Sequence, residues 1–345
     1  MAPDRAHPSS ARRRPLDDVD GAQQVQGLDT ISFPLWKYNP VTARLMKGWL
    51  APGCRDLRHV LFVASTGRSG TATLAAILQR VEGCAAYHEP WPAMHGGIMQ
   101  QRNAGHPDLA RRVYRWVKSV NIRRLAQGAT CYAETNHMFI KSFVDHAAEE
   151  FGAAMRVIHL VRDPVLVASS MYALGRAPRS IQWNSFWLDY RAPMNLVPLA
   201  DALDRRAFRH PFFKCLWYWY EMEARIADWK KRLEGRVAFA PLRTGDLKKP
   251  DAVAGTLHAL GIDAGRGFDF PTDLRLNQKP KKKRRRPPSE AEAAHMDRVF
   301  RRLLRDTGHG HVADVGEASA AFATGHRATP AGEREMRSER AAFGV

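Results

Sequence analysis

The sequence predicts an α/β protein, a three-layer sandwich around a central, mostly parallel sheet. Short continuous apolar runs, such as His59-Val-Leu-Phe-Val-Ala-Ser65 and Met155-Arg-Val-Ile-His-Leu-Val161, alternate with longer helix-like stretches. That alternation is the pattern of strands covered on both faces by crossover helices. The clearest runs lead into loops that carry glycine or arginine and then open a helix, the arrangement by which open α/β sheets present ligand sites at their carboxyl edge. A chain of 345 residues, 45% hydrophobic and 26% charged, has enough apolar material to enclose a core.

Taken in order, strands are expected near 59–65, 84–87, 130–134, 155–161 and 236–241. Helices are expected near 71–82, 107–126, 139–151, 164–174, 211–233, 250–260 and 289–306. Pro164 suits the first turn of its helix, where a missing N–H costs nothing. Residues 1–30 and 314–345 are rich in Ala, Gly, Arg, Glu and Pro without periodic apolar patterning, so both read as mobile tails around a working domain at 31–313. There is no internal repeat.

Composition excludes several classes. No apolar run approaches the roughly 18 residues a membrane span requires, and Arg12-Arg-Arg-Pro15 is followed by no apolar signal region, so the expected location is cytoplasmic. Cys54, Cys84, Cys131 and Cys215 have neither pairing nor zinc spacing and read as small buried hydrophobes, with no metal expected. The 53 Lys and Arg against 35 Asp and Glu give a net charge of +18. Seven cations fall within Lys279–Arg286, and setting them aside still leaves +11. The folded part is therefore cationic itself, which points to an anionic ligand.

The first strand runs into Thr66-Gly67-Arg68-Ser69-Gly70-Thr71-Ala72 and then a helix. Two glycines allow a tight turn whose N–H groups face inward, and the helix N-terminus adds positive potential, so the loop reads as a phosphate cradle. It lacks the Gly-Lys-Ser/Thr ending of a Walker A loop and carries Arg68 instead. The fourth strand ends in Arg162-Asp163-Pro164, with Ser170 in the helix that follows. A forked guanidinium and a short hydroxyl placed there can converge on one anion.

Strand, Thr-Gly-Arg-Ser-Gly-Thr and helix resemble the 5′-phosphosulfate loop of sulfotransferases that use 3′-phosphoadenosine 5′-phosphosulfate (PAPS), in the style of the carbohydrate and tyrosylprotein branches. The resemblance spans roughly residues 58–288 and implies the P-loop NTPase-like sulfotransferase fold. It assigns Thr66 to Ala72 to the 5′ end of PAPS, and Arg162 with Ser170, eight residues on, to the 3′-phosphate. Lys279 or its neighbours would cap that phosphate, although the glycine-rich closing motif of the cytosolic branch is absent. Arg68 would stabilise the departing bridging oxygen. The alternatives are a P-loop nucleotide kinase or NTPase, disfavoured by the missing Walker lysine, and a basic nucleic-acid-binding protein driven by the 279–286 run; nucleic acid is not the expected partner.

Transfer to a neutral hydroxyl acceptor needs a base. The second strand ends Tyr87-His88-Glu89-Pro90-Trp91, and the resemblance nominates Glu89, with His88 as the other candidate and a Glu89–Arg68 pair as the structural reading. The third strand ends Glu134-Thr-Asn-His137, leading to Lys141. His137 and Lys141 are imperfect matches to the auxiliary lysine of some relatives, and Lys141 reads as a solvated residue in the first turn of a helix. Aromatics at 183, 187 and 190 and at 212–220 read as core; with Trp91 they could also wall a sugar or aromatic acceptor under a lid near 175–210, and the expected hydroxyl acceptor is a carbohydrate or other small molecule rather than a protein.

Overall fold

The structure is a computed structural model that describes residues 39–175, 185–265, 268, 270–271 and 285–324. Five strands form one parallel sheet: β1 (His59–Ala64), β2 (Cys84–His88), β3 (Cys131–Thr135), β4 (Met155–Val161) and β5 (Ala238–Arg243), in the order β2-β3-β1-β4-β5. All five lie where the sequence places them. The helices are α1 (Pro40–Leu50), α2 (Thr71–Leu78), α3 (Gly97–Asn103), α4 (Asp108–Val113), α5 (Ser119–Leu125), α6 (Val144–Phe151), α7 (Pro164–Ala173), α8 (Ala200–Leu203), α9 (Pro211–Arg232), α10 (Pro250–Ala259), α11 (Glu290–Asp306) and α12 (Gly310–Thr324). Wide π-turns, Tyr114–Lys118 and Phe139–Phe143, interrupt the expected helices 107–126 and 139–151.

Because side chains alternate across a strand, β1 feeds two cores. Val60, Phe62 and Ala64 join the larger one, with the helical segments from α4 to α7, α9, α11 and α12. Leu61 and Val63 join the smaller one, where Leu74, Ile77 and Leu78 of α2 and Val253 and Leu257 of α10 cover the other face. Helix, sheet and helix layers follow, and the three-layer α/β architecture of P-loop-like folds is the result. With every strand parallel, the carboxyl ends of β1 to β4 open on one edge, so four post-strand loops meet there.

The aromatics of α9 are core: Phe212, Trp217, Tyr218, Trp219 and Tyr220 are all buried. Cys131 and Cys215 are buried as expected, whereas Cys54 and Cys84 are half-buried. The boundary expected at 314 needs moving. Residues 314–324 belong to α12, whose Val312, Ala313 and Gly316 are buried. Gly316 lies so near α9 that an added Cβ would stand 2.2 Å from the Tyr220 ring, and Ser319 Oγ donates to Glu223 at 2.6 Å. The buried face of α12 is made of small residues, which is why its periodicity did not register. No helix among the described residues is long and apolar enough to cross a membrane.

Candidate active site

The loop after β1 is a preset cradle. Gly67, Arg68 and Gly70 all have positive φ, at 74°, 58° and 85°, a region that costs a non-glycine residue such as Arg68 about 1–2 kcal/mol. Internal hydroxyl bonds hold that shape. The Thr66 and Ser69 hydroxyls lie 2.9 Å apart, and Ser69 Oγ donates to the Gly67 carbonyl at 3.1 Å. From beyond β5, Thr244 Oγ1 is 2.8 Å from the Ser69 carbonyl and 3.1 Å from that of Val161, joining this loop to the end of β4. No side chain caps α2, although Asn39, Asp163 and Ser289 cap α1, α7 and α11. The first N–H groups of α2, from Thr71 and Ala72 onward, therefore remain available to an anion.

Arg162 and Ser170 meet this loop directly. Arg68 Nε donates to Ser170 Oγ at 3.0 Å, and an Arg162 guanidinium nitrogen donates to the Arg68 carbonyl at 2.5 Å. Trp219 Nε1 donates to the Arg162 carbonyl at 3.0 Å, so the aromatic helix fixes this arginine from behind. Asp163 accepts from Leu166 N as the cap of α7. Two guanidinium groups and a hydroxyl from separate strands are thus gathered at one edge, where they can neutralise closely spaced negative charges.

The third component is a carboxylate–imidazole pair. Glu89, at φ 47° just past β2, has its Oε1 2.5 Å from His137 Nδ1 just past β3. Burial acts to raise the Glu89 pKa, but the charge and hydrogen bond of His137, helped by His88 and Lys141, outweigh it and hold the group at about 2. Burial lowers the His137 pKa, and Lys141 adds to that, against the opposing pull of Glu89. The imidazole also faces the cradle, where a side chain at Gly67 would crowd it: an added Cβ would lie 3.3 Å from His137 Cδ2. His88 directs Nδ1 to the Thr135 carbonyl and hydroxyl, both at 3.0 Å.

A wholly buried network supports the pair. Lys118 Nζ donates to Glu134 Oε1 at 2.6 Å and to the Pro90 carbonyl, beside Glu89, at 3.0 Å. Glu134 also accepts from Tyr132 OH and Asn136 Nδ2, each at 2.8 Å, and Asn136 Oδ1 accepts from Met138 N. The ends of β2 and β3 are held together by these bonds. Lys118 and Lys141 each sit in a π-turn, where the widened backbone directs a long side chain inward.

In a search of solved structures, the chain is similar to a sulfotransferase from Alicyclobacillus acidocaldarius, with 13% identity, 73% of this chain and 96% of that chain covered, and a TM-score of 0.39. No family model and no curated protein matches it. So distant a likeness assigns no function. The chemistry has to be read from the residues.

Of the residues the sequence singles out, Thr66 to Ala72, Arg162, Ser170, His88 and Glu89 are gathered at the carboxyl edge of the sheet. Lys279 lies outside the described residues. The run's far end does reach α7, where Arg285 N donates to the Ala173 carbonyl and the guanidinium stands 5.8 Å from the Tyr172 ring. Glu89 is bonded to His137, a partner outside the sequence reading. One expectation is corrected. Lys141 is fully buried rather than solvated, donating to the Phe186 carbonyl at 2.7 Å and Tyr218 OH at 2.9 Å, and burial drives its pKa well down. Thr244, Trp219 and Lys118 were missed, because each acts on a loop distant in sequence. Among the described residues no cluster of His, Cys, Asp or Glu is placed to hold a metal.

Proposed function

We propose that this chain is a sulfotransferase that moves the sulfuryl group of PAPS to a hydroxyl acceptor, a carbohydrate or another small molecule rather than a protein. The observation that carries the reading is the convergence of Arg68, Arg162 and Ser170 beside an uncapped helix N-terminus. These donors match a ligand with two anionic ends. The cradle at 66–72 would hold the 5′ end through its N–H groups and Arg68, and Arg162 with Ser170 would hold the 3′-phosphate. The loop conformation is already set, so binding costs little reorganisation. Bound there, PAPS would supply the group transferred.

The chain's own part is positioning and electrostatics. Arg68, strained into positive φ inside the loop, places a fixed cation beside the leaving oxygen. Glu89 and His137, at the ends of the neighbouring strands, offer an acceptor hydroxyl a proton sink on the same edge. Trp91, 50% exposed just beyond Glu89, and Phe186, its ring 6.3 Å from that of His137, provide faces for the acceptor.

Calorimetric titration tests this reading. Adenosine 3′,5′-bisphosphate is expected to bind in the micromolar range without magnesium and at least tenfold more tightly than ATP with magnesium. The reverse order would return the kinase or NTPase reading, and no binding of either would remove the nucleotide site.

A further inference from the structure

Helix α1 carries an apolar face that no other described residue covers. Val41, Leu45 and Trp49 recur every four residues, so all three fall on one side of the helix. They are 66, 68 and 74% exposed, with Met46 exposed beside them. Single exposed apolar residues are ordinary, but a contiguous group of this size marks a contact surface.

The helix cannot turn that face inward, because its other side is fastened to the body. Ala43 and Leu50 are buried, and Lys47 Nζ donates to Glu150 of α6 at 3.0 Å. The Asn39 side chain accepts from Val41 N and Thr42 N, each at 3.0 Å, and at the far end the Leu50 carbonyl accepts from Gln127 Nε2 at 2.9 Å. The exposed stripe is thus a fixed, outward feature of the folded domain.

Charge selects what covers it. From Thr30 to Arg55 there is no Asp or Glu, whereas Lys37, Arg44, Lys47 and Arg55 are cationic, and Arg44 and Arg55 are exposed. α1 packs on the π-turn 114–118 and on α5, which add Arg115, Arg123 and Arg124. The acids on the adjoining α6 are already matched, Glu150 by Lys47 and Arg123 and Glu149 by Arg115. A second copy of the chain would bring the same cations to the contact, where like charges repel. Four apolar side chains also fall well short of the roughly 20–30 residues a side of a stable protein interface.

We propose that α1 is an interfacial anchor that lays this protein on an anionic lipid surface, with Val41, Leu45, Met46 and Trp49 entering the boundary between headgroups and acyl chains and Arg44 and Arg55 meeting lipid phosphates. A stripe that ends in an indole and is flanked by guanidinium groups has the composition that partitions to that boundary. An 11-residue helix lying flat needs only one side in contact. The proposal is independent of the nucleotide reading, since α1 contributes nothing to the loops at the carboxyl edge of the sheet.

The test is flotation of the full-length protein with phosphatidylcholine vesicles, pure or containing about 30% phosphatidylglycerol, at about 0.1 M salt. The anionic vesicles should bind at least about tenfold more strongly than the neutral ones. The double variant Leu45→Gln, Trp49→Gln keeps the charge and should weaken that binding at least about hundredfold, and Arg44→Gln should weaken it about fivefold. All three positions are exposed, so melting temperatures equal to wild type separate lost binding from lost fold. A double variant that still floats would be held by charge alone, as through the 279–286 run, and would overturn the proposal. A wild type that stays off anionic vesicles would overturn it too: as a dimer that the double variant splits, it would place a second copy on α1, and as a monomer, the chain's own residues 1–38.

Discussion

Replacing Lys118 by Met should damage both stability and the position of Glu89. The ammonium and the Glu134 carboxylate are both wholly buried, 2.6 Å apart. Removing one member of such a pair costs about 3–5 kcal/mol, because the remaining charge is left in a low-dielectric interior. Here Glu134 keeps the Tyr132 hydroxyl and the Asn136 amide, so the expected loss is at the lower end, about 3 kcal/mol. Met fills most of the lysine stem's volume, which keeps the cavity contribution small. For a domain of this size that loss corresponds to a fall in Tm of roughly 5 °C. The assay is urea unfolding followed by tryptophan fluorescence, with the double variant Lys118→Met, Glu134→Gln alongside. The neutral amide removes the stranded charge, so the double variant should recover at least half of the loss. A single variant costing under about 1 kcal/mol, or a double variant no more stable than the single, would refute the view that this ion pair holds the ends of β2 and β3.

Arg68→Ala and Arg162→Ala should each weaken binding of adenosine 3′,5′-bisphosphate about ten- to hundredfold, the worth of one hydrogen bond to a charged group at about 1.5–3 kcal/mol; calorimetry reads this, and an unchanged affinity in both would disconnect the arginines from the nucleotide. Gly316→Val should destabilise the fold by about 3 kcal/mol or more, since even a Cβ would meet the Tyr220 ring at 2.2 Å; a thermal melt equal to wild type would show that α12 does not pack on α9 in solution. Acid stability should depend on Glu89. Its folded pKa of about 2 lies below the ordinary 4.5, so its contribution is complete above pH 4.5 and is lost as the pH falls toward 2. That contribution is up to about 3 kcal/mol, and Glu89→Gln should flatten the stability profile in that window when unfolding is followed by circular dichroism; parallel profiles would contradict the pairing with His137.

The strands were legible because each is a run of apolar residues with a face to give to each core, and two of the post-strand loops carried their chemistry in contiguous residues. Thr66 to Ala72 is a local turn problem, and Arg162 with Ser170 spans one strand end and two turns of helix, so spacing alone brought them near. The rest of the site is made of pairs that spacing cannot express. Glu89 and His137 are 48 residues apart and meet only because β2 and β3 are parallel neighbours in register, His88 opposite Thr135. Lys141 was misjudged for a related reason. On a regular helix its position reads as a first-turn surface residue, but the π-turn at 139–143 rotates it inward, and Tyr218 of α9 supplies the hydroxyl that makes burial tolerable. A polar residue in a core is intelligible only with its partner, and the partner lies in another element. The same logic explains the roles within α9. Its rings were rightly read as core, yet Trp219 and Tyr218 also extend polar tips to Arg162 and Lys141. The helix that fills the larger core therefore also sets the angle of the cradle's second arginine, and for a ligand held at both ends that angle matters as much as the charge.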